Sequence, residues 1–143
     1  EGGTVGMFGI NEAGLTTHLT GHTGRATAQT AAITSLAALT VGAADASYEI
    51  VGNILVTTAT THSFNMTCAY TDEGNTARTL TLDFSTLAGV ISNAAITNVA
   101  GAVPYEGVPI RIRAKASTTI TLATSGTFTT VAYNAEGLIR RVS

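Results

Sequence analysis

A chain of 143 residues that is 45% hydrophobic and only 11% charged has apolar mass for the core of one ordinary domain, with length to spare for an appendage. Its net charge of −2 and pI near 5.8 argue against the basic field that a general nucleic-acid or anionic-membrane binder needs. The single cysteine, Cys68, rules out an intrachain disulfide and a Cys-based zinc site, and no apolar run approaches the roughly 18 residues of a membrane-spanning helix.

The opening stretch, EGGTVGMFGINEAGLTTHLTGHTGRAT (1–27), is rich in Gly and Thr and has no sustained period. It is expected to be extended or looped against something else. It lacks an initiator Met, which reads as a fragment or a processed product. His18 and His22 stand four apart in HLTGH, the spacing that on a helix would put both imidazoles on one face. A zinc-protease helix needs Glu directly after the first His, where Leu19 stands, and Gly21 and Gly24 oppose a helix. No metal is expected there.

Residues 28–39, AQTAAITSLAAL, are the one good helix candidate: Ala28, Ala32, Ile33, Leu36 and Leu39 fall near a helical stripe. Thr30, Thr34 and Thr40 weaken it, and three turns are marginal in isolation. The stripe of Ile33, Leu36 and Leu39 would pack on the main domain or pair with copies of itself. The chain therefore divides into a segment 1–45 for attachment or oligomerisation and a β-domain 46–143.

From Ala46 the period changes to two. SYEIVGNILVTT aligns Tyr48, Ile50, Ile54 and Val56, with Gly52 as a gap. SFNMTCAYT aligns Phe64, Met66, Cys68 and Tyr70, leaving His62 in a connection between strands. ARTLTLDF aligns Leu80, Leu82 and Phe84. VPIRIRAK sets Val108, Ile110, Ile112 and Ala114 against Arg111, Arg113 and Lys115. STTITLAT and TFTTVAY follow, joined by Ser125-Gly126 as a two-residue hairpin, and LIRRV is the last strand. Residues 85–107 read as a long crossover with one weak strand. Seven short strands at near-regular spacing predict an all-β fold, an antiparallel sandwich or jelly roll.

The densest polar cluster is YTDEGNTARTLTL (70–82). Asp72 and Glu73 are adjacent, so they diverge on an extended chain, and no Glu follows at the distance a calcium loop requires. The cluster reads as a hairpin turn, with Gly74-Asn75 tolerating positive φ. Cys68 lies on an apolar face and reads as a buried structural thiol. Asn65-Met66-Thr67 matches a glycosylation acceptor but falls inside a strand. Arg111, Arg113 and Lys115 share one strand face. That face is either solvated, guarding an edge, or an inter-subunit contact to Asp83 or Glu136 of a neighbouring chain. No G-x-S-x-G elbow, phosphate loop or metal set is present, so no enzyme and no cofactor are expected.

The stretches ALTVGAADASYEIVGNILVTTATTHSFNMTCAYTDEGNTARTLTLDF and GAVPYEGVPIRIRAKASTTITLATSGTFTTVAYNAEGLIRRV resemble a class of small Thr-rich β-domain virion proteins of tailed bacteriophages. The resemblance covers roughly residues 38–142 and rests on the order of a Thr-rich strand, a YTDE turn, a PYEGVPI segment and a hairpin before a Tyr-containing strand. It implies a fibre, spike or decoration protein, usually a homotrimer, in contact with other virion proteins, and transfers no catalytic residue. Roughly a fifth of the chain is Thr, a β-branched residue suited to half-exposed sheets, and a charge-poor surface of hydroxyls favours a defined oligomer. Alternatives are a module gripping host surface glycan, with Tyr105 as the candidate ring and Tyr133 as a spare, and a subunit of an extracellular filament joined through its N-terminal segment.

Overall fold

The computed structural model describes residues 21–85, 89–99 and 102–143. Among them every regular element is a strand. In chain order they are β1 (Gly21–Gln29), β2 (Ala37–Thr40), β3 (Ala46–Thr71), β4 (Ala77–Thr81) and β5 (Phe84–Ser85). Then come β6 (Ile91–Ser92), β7 (Ile96–Thr97), β8 (Val103–Gly107), β9 (Ile110–Ala114) and β10 (Thr119–Arg141). Two strands exceed the usual length of about five or six residues several times over: β3 has 26 and β10 has 23. They pair antiparallel with each other from Thr121–Ala69 to Arg141–Tyr48. β1 and β2 line the far side of β10. β9, β8, β7 and β4 line the far side of β3 in turn.

This long ribbon folds over on itself. Even-numbered residues of β3 are buried from 46 to 56 and again from 62 to 68, and the two runs face each other. A Cβ added to Gly52 would run into Met66 Sδ and lie 3.0 Å from Leu82 Cδ1. A straight strand would hold residues 52 and 66 roughly 46 Å apart, at about 3.3 Å per residue. β10 doubles back in the same way, since a Cβ on Gly137 would lie 2.6 Å from Leu122 Cδ1. The fold line runs through exposed Thr58, Thr60 and Thr61. Opposite them the pairing slips between Phe128 and Thr130, Thr130 and Val131, and Ala132 and Tyr133. Bulges of this kind bend a strand and let it pass from one layer to the next. The result is an antiparallel β-sandwich whose layers are the two halves of one sheet. Ile50, Ile54, Phe64, Met66, Leu122 and Ile139 fill the space between them.

A row of glycines lets the layers close. Gly24 pairs with Gly137, and Gly137 with Gly52; a Cβ on Gly107 would collide with the Gly52 carbonyl oxygen. Four neighbouring strands thus carry no side chain at one level of the inner face. Leu36, Leu122, Met66 and Leu82 press into that level from the opposite layer. Glycine weakens a strand in general, and here it marks the place where other atoms must come close.

The predicted helix over 28–39 is not formed. Ala28 has φ 53, and the backbone of this stretch is used by β10 instead. The Tyr133 hydroxyl donates to the Ala31 carbonyl at 2.7 Å, and Ile33 exchanges bonds with Thr124 through Thr124 Oγ1 at 2.8 Å and the Ile33 carbonyl at 2.9 Å. Leu36 N–H donates to the Leu122 carbonyl at 2.7 Å. A marginal three-turn helix loses to a strap that satisfies the same groups and also buries Leu36.

Other expectations are corrected too. Ser125-Gly126 is not a hairpin. It lies inside β10, where Gly126 has φ 141 and sits against the Ser63 carbonyl and Phe64 Cα. The two stretches read as separate strands, 47–58 and 63–71, are one strand, so His62 is not in a connection but buried in the middle of β3. The crossover region carries the short strands β6 and β7 and the five-residue β8. The turn at Asp72–Thr76 is as predicted. Asn75 has φ 66, Asn75 N–H donates to the Asp72 carbonyl at 2.9 Å, and Thr76 N–H donates to Asp72 Oδ1 at 2.9 Å.

Candidate functional site

Among the described residues a concave surface lies on the outer face of the sheet, directly behind the glycine row. Because side chains alternate, the residues flanking each inward glycine point outward. Thr23 and Arg25 flank Gly24; Val51 and Asn53 flank Gly52; Glu136 and Leu138 flank Gly137; Glu106 precedes Gly107. All of them line two adjoining hollows of about 350 and 230 Å³ that share Asn53 and Glu136. The same glycines that let the sandwich close therefore set the place of this groove.

Its polar groups are fixed by the strands that carry them. Arg25 Nη2 donates to Glu136 Oε2 at 2.7 Å across the β1–β10 pair. Asn53 Oδ1 accepts from Gly107 N–H at 2.7 Å, tying β3 to β8. Asn134 Oδ1 accepts from Ala28 N–H at 2.9 Å, tying β10 to the end of β1. In both amides the oxygen is anchored to backbone, which leaves the NH₂ as the free end. Beside them Leu55, 38% exposed, and the exposed Pro104 form an apolar strip where β3 pairs with β8.

The residues singled out from sequence are scattered. Tyr105 pairs with Ile54 and is half-buried, its ring edge-on to Phe84 at 6.4 Å, and burial pushes its hydroxyl pKa up. Its neighbours Pro104 and Glu106 are the ones that face the groove. Tyr133 is no spare ring: it is fully buried, tilted against Phe64 at 4.8 Å and stacked on Phe128 at 5.7 Å. Leu36 is buried in the chain's own core, with Ile33 and Leu39 packed half-buried against it. Arg111 and Arg113 are exposed on β9 and Lys115 is half-buried just beyond it. Arg113 Nε donates to Glu73 of the same chain at 2.8 Å; among the described residues Arg111 and Lys115 have no ion-pair partner. Within the chain Glu136, the sequence candidate for a neighbour's contact, pairs with Arg25.

The remaining candidates are structural. Asp72 holds the turn and accepts from Arg78 Nε at 2.7 Å; the Thr76 N–H and the Arg78 guanidinium keep its carboxyl below the usual range. Burial pushes the Cys68 thiol up to about 12, so it carries almost no thiolate at neutral pH and is inert as a nucleophile. His22 is exposed on β1 opposite Ile139, while His18 lies outside the described residues. Among the described residues no group of three His, Cys, Asp or Glu side chains gathers for a metal ion.

Sequence reading missed Asn53, Asn134 and Glu106, because an isolated Asn or Glu on a strand carries no signal. The available clue was the spacing of Gly24, Gly52, Gly107 and Gly137, which becomes meaningful only once the register aligns them.

No family model matches the chain, and no curated protein matches it. Among solved structures it is similar to that of the infectious bursal disease virus Gx strain, with a TM-score of 0.41 and 15% identity over 87% of this chain and 31% of that one. It is similar to the infectious bursal disease virus VP2 subviral particle, with a TM-score of 0.40 and 14% identity over 85% of this chain and 33% of the other. A CBM22-1 xylan-binding domain from Paenibacillus barcinonensis gives a TM-score of 0.37 and 18% identity over 83% of this chain and 71% of that domain. The chain spans about a third of the length of the two virus chains.

Proposed function

We propose that the chain is a non-enzymatic structural protein of a phage virion, in a fibre, spike or capsid decoration, and that it acts as a homo-oligomer, a trimer if it follows the phage β-domains that it resembles. The observation that carries the assembly is the edge of β1. Among the described residues β1 ends the sheet and pairs with β10 alone, so along its regular stretch, 21–26, no described strand takes up its outer side. Its sequence, GHTGRATAQ, has neither Pro nor Lys, and its one cation is neutralised by Glu136. Edges that must stay single are normally short, bulged or charged. This one slips in register only at its end, between Ala26 and Gln29, and its stretch 21–26 is regular, with Arg25 paired to Glu136, which leaves that stretch able to pair. Arg25, Arg78, Arg113 and Arg140 are matched within the chain to Glu136, Asp72, Glu73 and Glu49, so copies meet across a surface of hydroxyls with little charge repulsion. The virion setting is supported by the resemblance of residues 38–142 to Thr-rich phage β-domains. Size-exclusion chromatography with light scattering tests the assembly: a discrete oligomer is expected, and a clean monomer at micromolar concentration would end the proposal.

A further inference from the structure

We propose that the outer groove across β1, β10, β3 and β8 is a binding site for a neutral oligosaccharide, a function separate from the assembly edge and not dependent on it. Charge excludes most other small ligands. Arg25 is paired with Glu136, which leaves Glu106 as the uncompensated charge among the lining groups. A groove with this balance repels phosphate, sulfate and acidic sugars. One free carboxylate without a second nearby donor set is too little for a cation.

Hydrogen-bond chemistry narrows the class further. The Asn53 and Asn134 oxygens are held by Gly107 and Ala28 N–H groups, so each amide presents its NH₂ donor in a fixed direction. Asn134 stands opposite Leu55 and Asn53 opposite Glu136, which makes the two amides diagonal neighbours about 7–8 Å apart. Glu106 and Glu136 supply acceptors, and the Thr27 hydroxyl serves as either. A sugar hydroxyl both donates and accepts, and so matches this alternation. The strip of Leu55 and Pro104 gives the C–H face of a sugar ring an apolar surface to lie on. An extended peptide is a poorer occupant, because β10 and β3 are paired on both sides here and offer its backbone no ladder to join. Groove walls anchored to four strands also need little ordering on binding, which is where affinity is otherwise lost.

The test uses the whole chain with neutral cello-, xylo-, manno- and malto-oligosaccharides, and a heparin oligosaccharide as the anionic probe. Saturation-transfer NMR and calorimetry read binding; light scattering follows the oligomer in parallel. At least one neutral probe is expected to bind, heparin is not, and Asn134→Ala and Leu55→Arg are each expected to weaken binding about tenfold or more, the loss of one good hydrogen bond or of the apolar strip. Leu55 is exposed, so its replacement leaves the core intact and keeps the test valid if Asn134→Ala fails to fold. No binding by any neutral probe at millimolar concentration, preference for heparin, or full binding by both variants would overturn the proposal. Because oligomer size is read separately, failure of the sugar site and failure of the assembly are distinguishable.

Discussion

Gly107→Ala is expected to destabilise the protein by about 3 kcal/mol, the upper part of the range for forcing extra atoms into a packed interior. The added methyl would meet the Gly52 carbonyl oxygen, with Gly52 C and N at 2.8 and 2.9 Å. These are backbone atoms of β3, held by pairing to β10 on the other side, and cannot swing aside as a side chain end can. To make room, β8 must lift from β3, which breaks the Ile54–Tyr105 pairing and the bond from Gly107 N–H to Asn53 Oδ1. For a domain whose total stability is of order 5–15 kcal/mol this is a large fraction. Gly42→Ala is the matched control: nothing lies within 4 Å of its added Cβ, so it should be neutral or add up to about 1 kcal/mol by restricting the unfolded chain. Urea denaturation of both variants checks the pair. Equal midpoints for Gly107→Ala and the parent would mean that β8 does not lie where the glycine row puts it.

Acid is expected to weaken the fold through His62. This side chain is 2% exposed and packs beside Phe64 at 5.7 Å. Val99 N–H donates to His62 Nε2 at 3.2 Å, so the ring proton sits on Nδ1, a buried donor with no partner within the described residues. Protonation would place a hydrogen on Nε2 against the Val99 N–H and charge a ring that is 2% exposed. Burial accordingly lowers its pKa from the ordinary 6.5. The unfolded chain then binds the proton more readily than the fold does. The stability tied to neutral His62 is complete above about pH 6.5 and falls as pH drops from there toward the lowered folded value. The slope for one such group is at most about 1.4 kcal/mol per pH unit. Asn98, which bonds His62 backbone in both directions at 3.1 and 2.9 Å, and Val99 should detach with it. His62→Phe is expected to flatten the pH dependence of the urea midpoint between pH 6.5 and 5, at some cost at neutral pH for the lost acceptor. An unchanged slope in that variant would clear His62 of the role.

Much of the β-domain was legible because burial on strands has period two. Tyr48, Ile50, Ile54 and Val56, then Phe64, Met66 and Cys68, then Leu82 and Phe84, all lie inward as their spacing predicts. The turn at Gly74-Asn75 was legible from residue chemistry. What escaped were features decided by partners far along the chain. The stretch 28–39 has a helical stripe, but its fate depends on Thr124 and Tyr133. Ser125-Gly126 has turn chemistry, but β3 runs alongside it and keeps it extended. The stretch 59–62 reads as a break between strands, whereas it continues one strand around its corner. The groove was invisible for the same reason, since its parts come from four strands and meet through register alone.

The assembly edge is tested most directly by amide hydrogen exchange of β1 at rising protein concentration. If copies join through this strand, the amides of residues 21–29 should become more protected as concentration rises, while those of β3 and β10, already paired on both sides along much of their length, stay constant. Exchange of β1 that is fast and independent of concentration would contradict the account.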